Sequence, residues 1–79
     1  MTPEQARDAI EGALRKIAPD ADLATVSPDA DLRDALGLDS LDFLGFVEDL
    51  SQRAGRRIDE DDYPQLTTLA SSIKFLSRS

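Results

Sequence analysis

The sequence contains no cysteine and no histidine in its 79 residues. Without cysteine the chain can form neither disulfides nor thiolate metal sites. Without histidine it lacks the commonest general base, the commonest metal ligand and the base of any Ser–His nucleophilic pair. The nucleophile-elbow pattern G-x-S-x-G is absent as well. These absences argue against an enzyme, and against serine-hydrolase chemistry in particular.

Basic residues are scarce and unevenly placed. Nine Lys and Arg stand against 16 Asp and Glu, which gives a net charge of -7. Between residues 20 and 49 there are nine acids and a single base, Arg33. Such a stretch repels nucleic acid and anionic membranes and attracts basic protein surfaces. We therefore expect protein partners with basic docking surfaces, although acids that merely keep a small protein soluble would give the same composition.

Long apolar runs are also missing. No stretch approaches the length of a membrane-spanning helix, and Met1 is not followed by a basic and then apolar signal segment. A chain of this length has room for one small core. We expect residues 1–79 to form a single, complete, cytoplasmic domain that functions as a monomer, without membrane or nucleic-acid partners.

Three segments carry apolar residues at helical spacing, and no segment alternates as a strand does. The first helix has Thr2 as its cap in a T-x-x-Q capping box, begins at Pro3 and ends at Ala18, before Pro19. The second, Ser40–Ala54, is closed by Gly55. The last begins at Thr67 or Thr68. Its predicted core face carries Leu66, Leu69, Ala70, Ile73 and Leu76.

Residues 19–39 form a long acidic connection that Leu23 and Val26 anchor to the core. Two leucines one turn apart before Gly37 predict a short helix near residues 30–36. A further turn of helix over residues 59–64 is expected to end at Pro64. The predicted fold class is all-α, a small bundle of four helices, three long and one short, with a long first loop.

The sequence GLDSLD at residues 37–42 places Ser40 and Leu41 at the start of the second helix. At about 100° per residue, the core face of this helix contains Phe43, Val47, Leu50 and Ala54, with Phe46 at its border. Leu41 falls nearly opposite, alongside Gly45, Glu48, Asp49 and Gln52. We therefore expect Leu41 to be exposed on an acidic face. Ser40 is either a helix N-cap or a hydroxyl presented to a partner enzyme.

GLDSL at residues 37–41 resembles the G-x-D-S-L motif of acyl carrier proteins. The stretch IDEDDYPQLTTL at residues 58–69 is similar to the segment that leads into the last helix of that family. The resemblance extends from about Glu4 to Leu76. It implies that Ser40 carries 4′-phosphopantetheine, transferred from coenzyme A by a phosphopantetheinyl transferase, and that Asp39 supports this modification. It also implies an acyl-carrier-like bundle that holds acyl groups as thioesters on this arm, binds no metal of its own and catalyses no reaction.

The resemblance also implies surfaces for partners and cargo. The expected docking residues are Leu41, Asp42, Glu48 and Asp49. The residues expected to line an acyl chain are Phe43, Phe46, Val47, Ile58, Leu66, Ala70 and Ile73, each of which would equally suit a plain core.

Some residues depart from the pattern of fatty-acid carriers. Gly45, Ser51, Gln52 and Arg53 stand where those carriers are usually rich in glutamate. This favours acyl carriage in a specialised fatty-acid, polyketide or other secondary-metabolite pathway. Asp39 favours an acyl cargo over an aminoacyl or peptidyl one, which stays an alternative.

Two other classes of function have some support in the sequence. An acidic helical adaptor without a prosthetic group would have the same composition and would tolerate Ser40→Ala. A calcium loop over residues 29–40 is disfavoured, because Arg33 occupies a ligand position and Asp34 stands where glycine is needed.

Overall fold

The computed structural model describes residues 1–78, which fold as a helical bundle. Its α-helices are α1 (Pro3–Ile17), α2 (Leu32–Leu36), α3 (Ser40–Ala54) and α4 (Leu69–Ser77). Two 3₁₀ helices, Leu23–Thr25 and Glu60–Leu66, lie in the connections. The all-α prediction, with three long helices and a short one, is confirmed. None of the helices in the described part of the chain is long and apolar enough to cross a membrane.

The ends of the helices follow local sequence signals. The Thr2 hydroxyl accepts a hydrogen bond from the Gln5 N–H (3.1 Å), and the Gln5 side chain accepts one from the Thr2 N–H (2.9 Å). This capping box satisfies donors that have no partner within α1. Gly37 and Gly55 adopt left-handed φ angles of 67° and 66° and end α2 and α3. Glycine takes this conformation at little cost, so both predicted stops are confirmed.

Helix α1 is the centre of the bundle, because it packs against both α3 and α4. Gly12 of α1 faces Arg53 of α3, whereas Ile17 faces Gly45, so α1 and α3 run antiparallel. The largest side chains with essentially no exposure come from every long helix and from the 3₁₀ helix Glu60–Leu66, and they include Ile10, Leu14, Phe46, Leu50, Leu66, Leu69 and Leu76. Their burial removes apolar surface from water, which stabilises the bundle by about 25 cal/mol for each Å² of apolar surface buried.

The long connection from residue 18 to residue 39 is tied to the rest of the chain at several points. Leu23 and Leu38 are buried, and Val26 is half-buried. The Leu32 N–H donates to the Thr67 carbonyl (2.8 Å), and the Ala70 N–H donates to the Pro28 carbonyl (3.0 Å). The connection is therefore fixed against the start of α4, and it holds α2 beside the N-terminus of α3.

Two predictions near the C-terminus are wrong. Ala70 is exposed, whereas Phe75 and Ser72 are buried. The buried face of α4 is therefore formed by residues 69, 72, 75 and 76. Serine can be buried at position 72 because its hydroxyl donates a hydrogen bond to the Thr68 carbonyl (2.7 Å). The 3₁₀ helix also continues past Pro64 to Leu66, because a proline removes only its own N–H donor and its fixed φ suits helical geometry.

The orientation predicted for one edge of α3 is wrong as well. Gly45 and Asp49 were placed on the exposed face, but this edge lies against α1. A Cβ built on Gly45 would contact the Ile17 side chain at 3.5 Å. The Asp49 side chain is only 11% exposed and pairs with Lys16 (3.1 Å) and Arg53. Geometry at about 100° per residue cannot show which neighbouring helix covers an edge.

Asp49 makes the stability of this helix contact depend on pH. The Arg53 hydrogen bond, with a smaller contribution from Lys16, lowers the pKa of the Asp49 carboxyl below its ordinary value of 3.8, against the opposing effect of burial. A lowered pKa in the folded state means that the ion pairs stabilise the fold above the unfolded-state pKa and lose this effect as pH falls through the folded-state value.

We expect Asp49→Asn to lower the free energy of unfolding by about 0.5–1 kcal/mol at neutral pH, since the ion pairs are partly exposed. The difference from wild type should shrink as pH falls below the ordinary carboxyl pKa of 3.8. Urea unfolding followed by circular dichroism at several pH values measures it. A difference that is the same at neutral and strongly acidic pH would contradict this interpretation.

Candidate functional site

Asp39, and not Ser40, caps helix α3. The Asp39 carboxylate accepts a hydrogen bond from the Asp42 N–H (2.8 Å), and the Asp42 carboxylate accepts one from the Asp39 N–H (3.4 Å). The two residues therefore form a reciprocal capping box. Ser40 is the first residue of the helix, and it is exposed. The interpretation of Ser40 as the N-cap is wrong, and its hydroxyl is left accessible.

The Ser40 hydroxyl has a cationic neighbour from helix α2. Arg33 donates from Nη2 to Ser40 Oγ at 3.4 Å. The same guanidinium lies over the Phe43 ring, with Cζ 5.5 Å from the ring centroid. A guanidinium stacked on an aromatic face gains a cation–π attraction while its N–H donors stay available. Helix α2 thus places the single base of residues 20–49 beside Ser40.

An apolar ridge follows Ser40 along the exposed face of α3. Leu41 is 78% exposed, which confirms its predicted orientation, and Leu44 is 42% exposed. Glu48 is exposed one turn further along. Leu41, Leu44 and Glu48 are called the exposed ridge below. Leu44 was missed, although helical geometry at about 100° per residue places it between Ser40 and Glu48.

The remaining acids proposed for docking are less available. Asp42 is half-buried and its carboxylate serves the capping box with Asp39. Asp49 is mostly covered by its ion pairs with Lys16 and Arg53. Glu48 is therefore the acid of the expected docking set with an exposed side chain, and the ridge is mainly apolar.

An open cleft of about 420 Å³ lies on the other side of Ser40, between α2, α3 and the 3₁₀ helix Glu60–Leu66. Its lining residues are Asp31, Arg33, Phe43, Glu60, Tyr63, Pro64 and Thr67. The Tyr63 ring meets Phe43 edge-on at a centroid distance of 5.6 Å. We call it the Phe43–Tyr63 cleft. The sequence contained no signal for it, because it depends on how the segment before α4 folds back beside α3.

Of the residues expected to line an acyl chain, Phe43 borders this cleft. Phe46, Val47 and Leu66 are instead in the closed core, and Ile58 is also buried. Ile73 is half-buried against the core, and Ala70 is exposed. Tyr63 and Pro64 provide apolar lining that the sequence interpretation missed.

The acidic segment 29–40, which was compared above with a calcium loop, has a structural role. The Asp31 carboxylate accepts hydrogen bonds from the N–H groups of Arg33 (2.8 Å) and Asp34 (3.3 Å) and caps α2. Within residues 1–78, no group of three or more carboxylates comes together as a metal site would require.

These contacts suit a phosphate ester on Ser40. The hydroxyl is accessible, it lies in the first turn of a 15-residue helix, and an arginine already contacts it. The positive end of a helix dipole and a guanidinium both favour a phosphate group. The adjacent Phe43–Tyr63 cleft offers apolar surface to whatever is attached beyond the phosphate.

A family model described as the phosphopantetheine attachment site matches residues 6–76 of the chain. The prosthetic group of this family is 4′-phosphopantetheine. Its carrier domains are generally non-catalytic and interact with phosphopantetheinyl transferases and pathway enzymes. The match spans nearly the whole described bundle, including all of α2 and α3. The chain therefore belongs to the acyl carrier protein family of phosphopantetheine-binding domains, and it is a carrier protein.

Proposed function

We propose that this protein carries acyl groups as thioesters on a 4′-phosphopantetheine arm attached to Ser40. The observation that carries the proposal is the capping arrangement at α3. Because Asp39 and Asp42 satisfy the helix start between them, the Ser40 hydroxyl is exposed and is not needed for the fold. The arm supplies a terminal thiol for thioester formation, which a chain without cysteine does not otherwise have.

Attachment needs a nucleophilic oxygen that a second enzyme can reach. Ser40 Oγ forms a bond to the phosphorus that bears pantetheine in coenzyme A, and the pyrophosphate bond breaks to release adenosine 3′,5′-bisphosphate. The serine proton leaves to a base on the transferase, since this chain holds no histidine. Asp39 contributes by holding the helix start that presents Ser40, and its negative charge also favours the magnesium that the transferase uses.

The shape of the exposed ridge supports a specialised pathway. Among the three acids of the expected docking set, Glu48 is the one with an exposed carboxylate, because Asp42 and Asp49 are engaged within the chain. The other two residues of the exposed ridge, Leu41 and Leu44, are apolar and accessible. We infer partners that combine an apolar socket with a basic rim, in a specialised fatty-acid, polyketide or other secondary-metabolite pathway.

The Phe43–Tyr63 cleft is proposed to shelter the attached acyl group. Its walls are aromatic and aliphatic, from Phe43, Tyr63 and Pro64, and its rim is polar. A volume of about 420 Å³ falls within the usual range of small-molecule sites. Apolar cargo in this cleft would be removed from water and protected from hydrolysis while the carrier moves between enzymes.

We expect wild type to gain the mass of one phosphopantetheine after incubation with coenzyme A, magnesium and a broad-specificity transferase. Ser40→Ala should gain nothing, because it removes the accepting oxygen. Ser27→Ala, at another exposed serine, is the matched control and should be modified like wild type. Intact-mass spectrometry measures all three. Unmodified wild type, with a control carrier modified in parallel, would favour an adaptor without a prosthetic group.

A further inference from the structure

Arg33 is placed against Ser40 in surroundings rich in carboxylates. It is the single base among residues 20–49, where nine acids lie. Nevertheless, none of the ion pairs within residues 1–78 involves Arg33. Of its two nearest acids in sequence, Asp31 uses its carboxylate to cap α2, and the adjacent Asp34 forms no ion pair with Arg33. The guanidinium instead contacts a neutral hydroxyl and an aromatic ring.

A phosphodiester on Ser40 would change the electrostatics at this point. It would add a negative charge beside Asp39 and Asp42, whose carboxylates already lie at the start of α3. Like charges at close range repel, so a cation is needed to offset them. Arg33 Nη2 is 3.4 Å from the oxygen that would bear the phosphorus. A guanidinium also matches the paired oxygens of a phosphate better than a lysine does.

Arg33 is also part of the wall of the Phe43–Tyr63 cleft. A phosphate held by Arg33 would therefore lie at the mouth of this cleft, and the chain beyond it would enter beside Phe43. The polar rim contributes Thr67 and Glu60, whose oxygen atoms suit the amide N–H groups of a pantetheine chain. The exposed ridge with Leu41 and Leu44 lies on a different side of α3, so it would stay uncovered for partners.

We propose that Arg33 binds the phosphate of the prosthetic group and thereby directs the arm into the Phe43–Tyr63 cleft, away from the exposed ridge. This inference rests on the proposed attachment at Ser40. It assigns Arg33 a positioning role after modification, and it leaves the docking surface accessible while cargo is stored.

The test uses the complete chain in its modified form. Wild type, Arg33→Gln, Arg33→Lys and the control Arg7→Gln are loaded to completion, with intact mass as the check. Arg7 is exposed on the half of α1 remote from Ser40, because Gly12 already faces Arg53 near the end of α3. A nitroxide maleimide is then attached to the arm, which provides the sole thiol in a chain without cysteine. Paramagnetic relaxation enhancement is measured at the amides of Tyr63, Thr67 and Glu48.

In wild type, enhancement at Tyr63 and Thr67 should exceed that at Glu48. Arg33→Gln should reduce the ratio of the enhancement at Tyr63 and Thr67 to that at Glu48 by about two- to fivefold, as expected for the loss of one solvent-exposed ion pair. Arg33→Lys should recover part of the ratio, and Arg7→Gln should match wild type. The ratio in wild type should also fall at high salt, which screens an exposed pair.

Specific results would overturn the proposal. If loaded Arg33→Gln gives the same ratio as wild type, or if Arg33→Lys recovers none of it, Arg33 does not direct the arm through its charge. If wild type gains no arm although a control carrier does, the proposed function fails and this inference fails with it. Circular dichroism of unmodified Arg33→Gln shows whether the fold is retained, and the wild-type salt dependence tests the ion pair without any substitution.

Discussion

Replacing both Leu41 and Leu44 with alanine is expected to lower the kcat/KM of the phosphopantetheinyl transferase for this carrier by about ten- to a hundredfold. The two leucines are the exposed apolar side chains that follow Ser40 on α3. A partner that covers them gains the free energy of apolar burial, and truncation removes it. The free energy of unfolding should fall by no more than about 1 kcal/mol, because Leu41 is mostly exposed and Leu44 is partly exposed.

The matched control is the pair of substitutions Leu41→Met and Leu44→Met. Methionine keeps an apolar side chain of similar volume, so transfer should remain close to wild type. Initial rates at varied carrier concentration, with coenzyme A and magnesium held constant, measure the effect. If alanine at both positions leaves kcat/KM unchanged, the exposed ridge is not the transferase contact. If it costs several kcal/mol of stability, the leucines are buried and the helix orientation is wrong.

Leu50→Ala on the same helix is expected to cause a large loss of stability, in contrast to truncation of the exposed leucines. Leu50 is fully buried, so truncation should lower the free energy of unfolding by about 2–5 kcal/mol. A domain of this size has only about 4–12 kcal/mol in total, so much of the stability would be lost. Urea unfolding followed by helical circular dichroism measures this, with Leu41→Ala as the exposed counterpart. Similar stabilities for the two variants would contradict the assignment of core and surface faces to α3.

Local signals were sufficient to predict most helix boundaries from the sequence. The Thr2 capping box, Gly37 and Gly55 each act through the conformation of a few neighbouring residues, so their effects do not depend on the rest of the fold. The apolar periodicity of α3 also located its core residues. These features explain why the bundle could be predicted without knowing how its helices pack.

The contacts between helices could not be predicted in the same way. Asp49 was expected to be exposed, but α1 covers it and supplies Lys16 as a partner. Ala70 was expected to be in the core, whereas Ser72 is buried there, with its hydroxyl donating to the carbonyl of Thr68, the N-cap of α4. Both errors arise because a periodic pattern defines a direction around one helix, and the neighbour that covers it depends on tertiary packing.

The sequence identified the residue at the centre of the candidate site, but it did not predict how the neighbouring residues are arranged around it. The motif at residues 37–41 pointed to Ser40, but it did not decide whether Asp39 or Ser40 caps the helix. Both residues are favoured caps, and the choice depends on which backbone adopts the extended conformation before the first turn. The position of Arg33 and the cleft beside Phe43 depend on how α2 lies against α3, which no local signal contains.

The most direct test of attachment at Ser40 is fragmentation of a tryptic peptide from the modified chain. Cleavage after Arg33 and Arg53 releases residues 34–53, in which Ser40 and Ser51 are the only hydroxyl side chains. The Ser51 hydroxyl donates to the Arg56 carbonyl and is partly buried, so it is a poor acceptor by this account. We expect fragment ions to place the whole phosphopantetheine mass on Ser40. Its location on Ser51, or on a peptide outside residues 34–53, would contradict the proposed site.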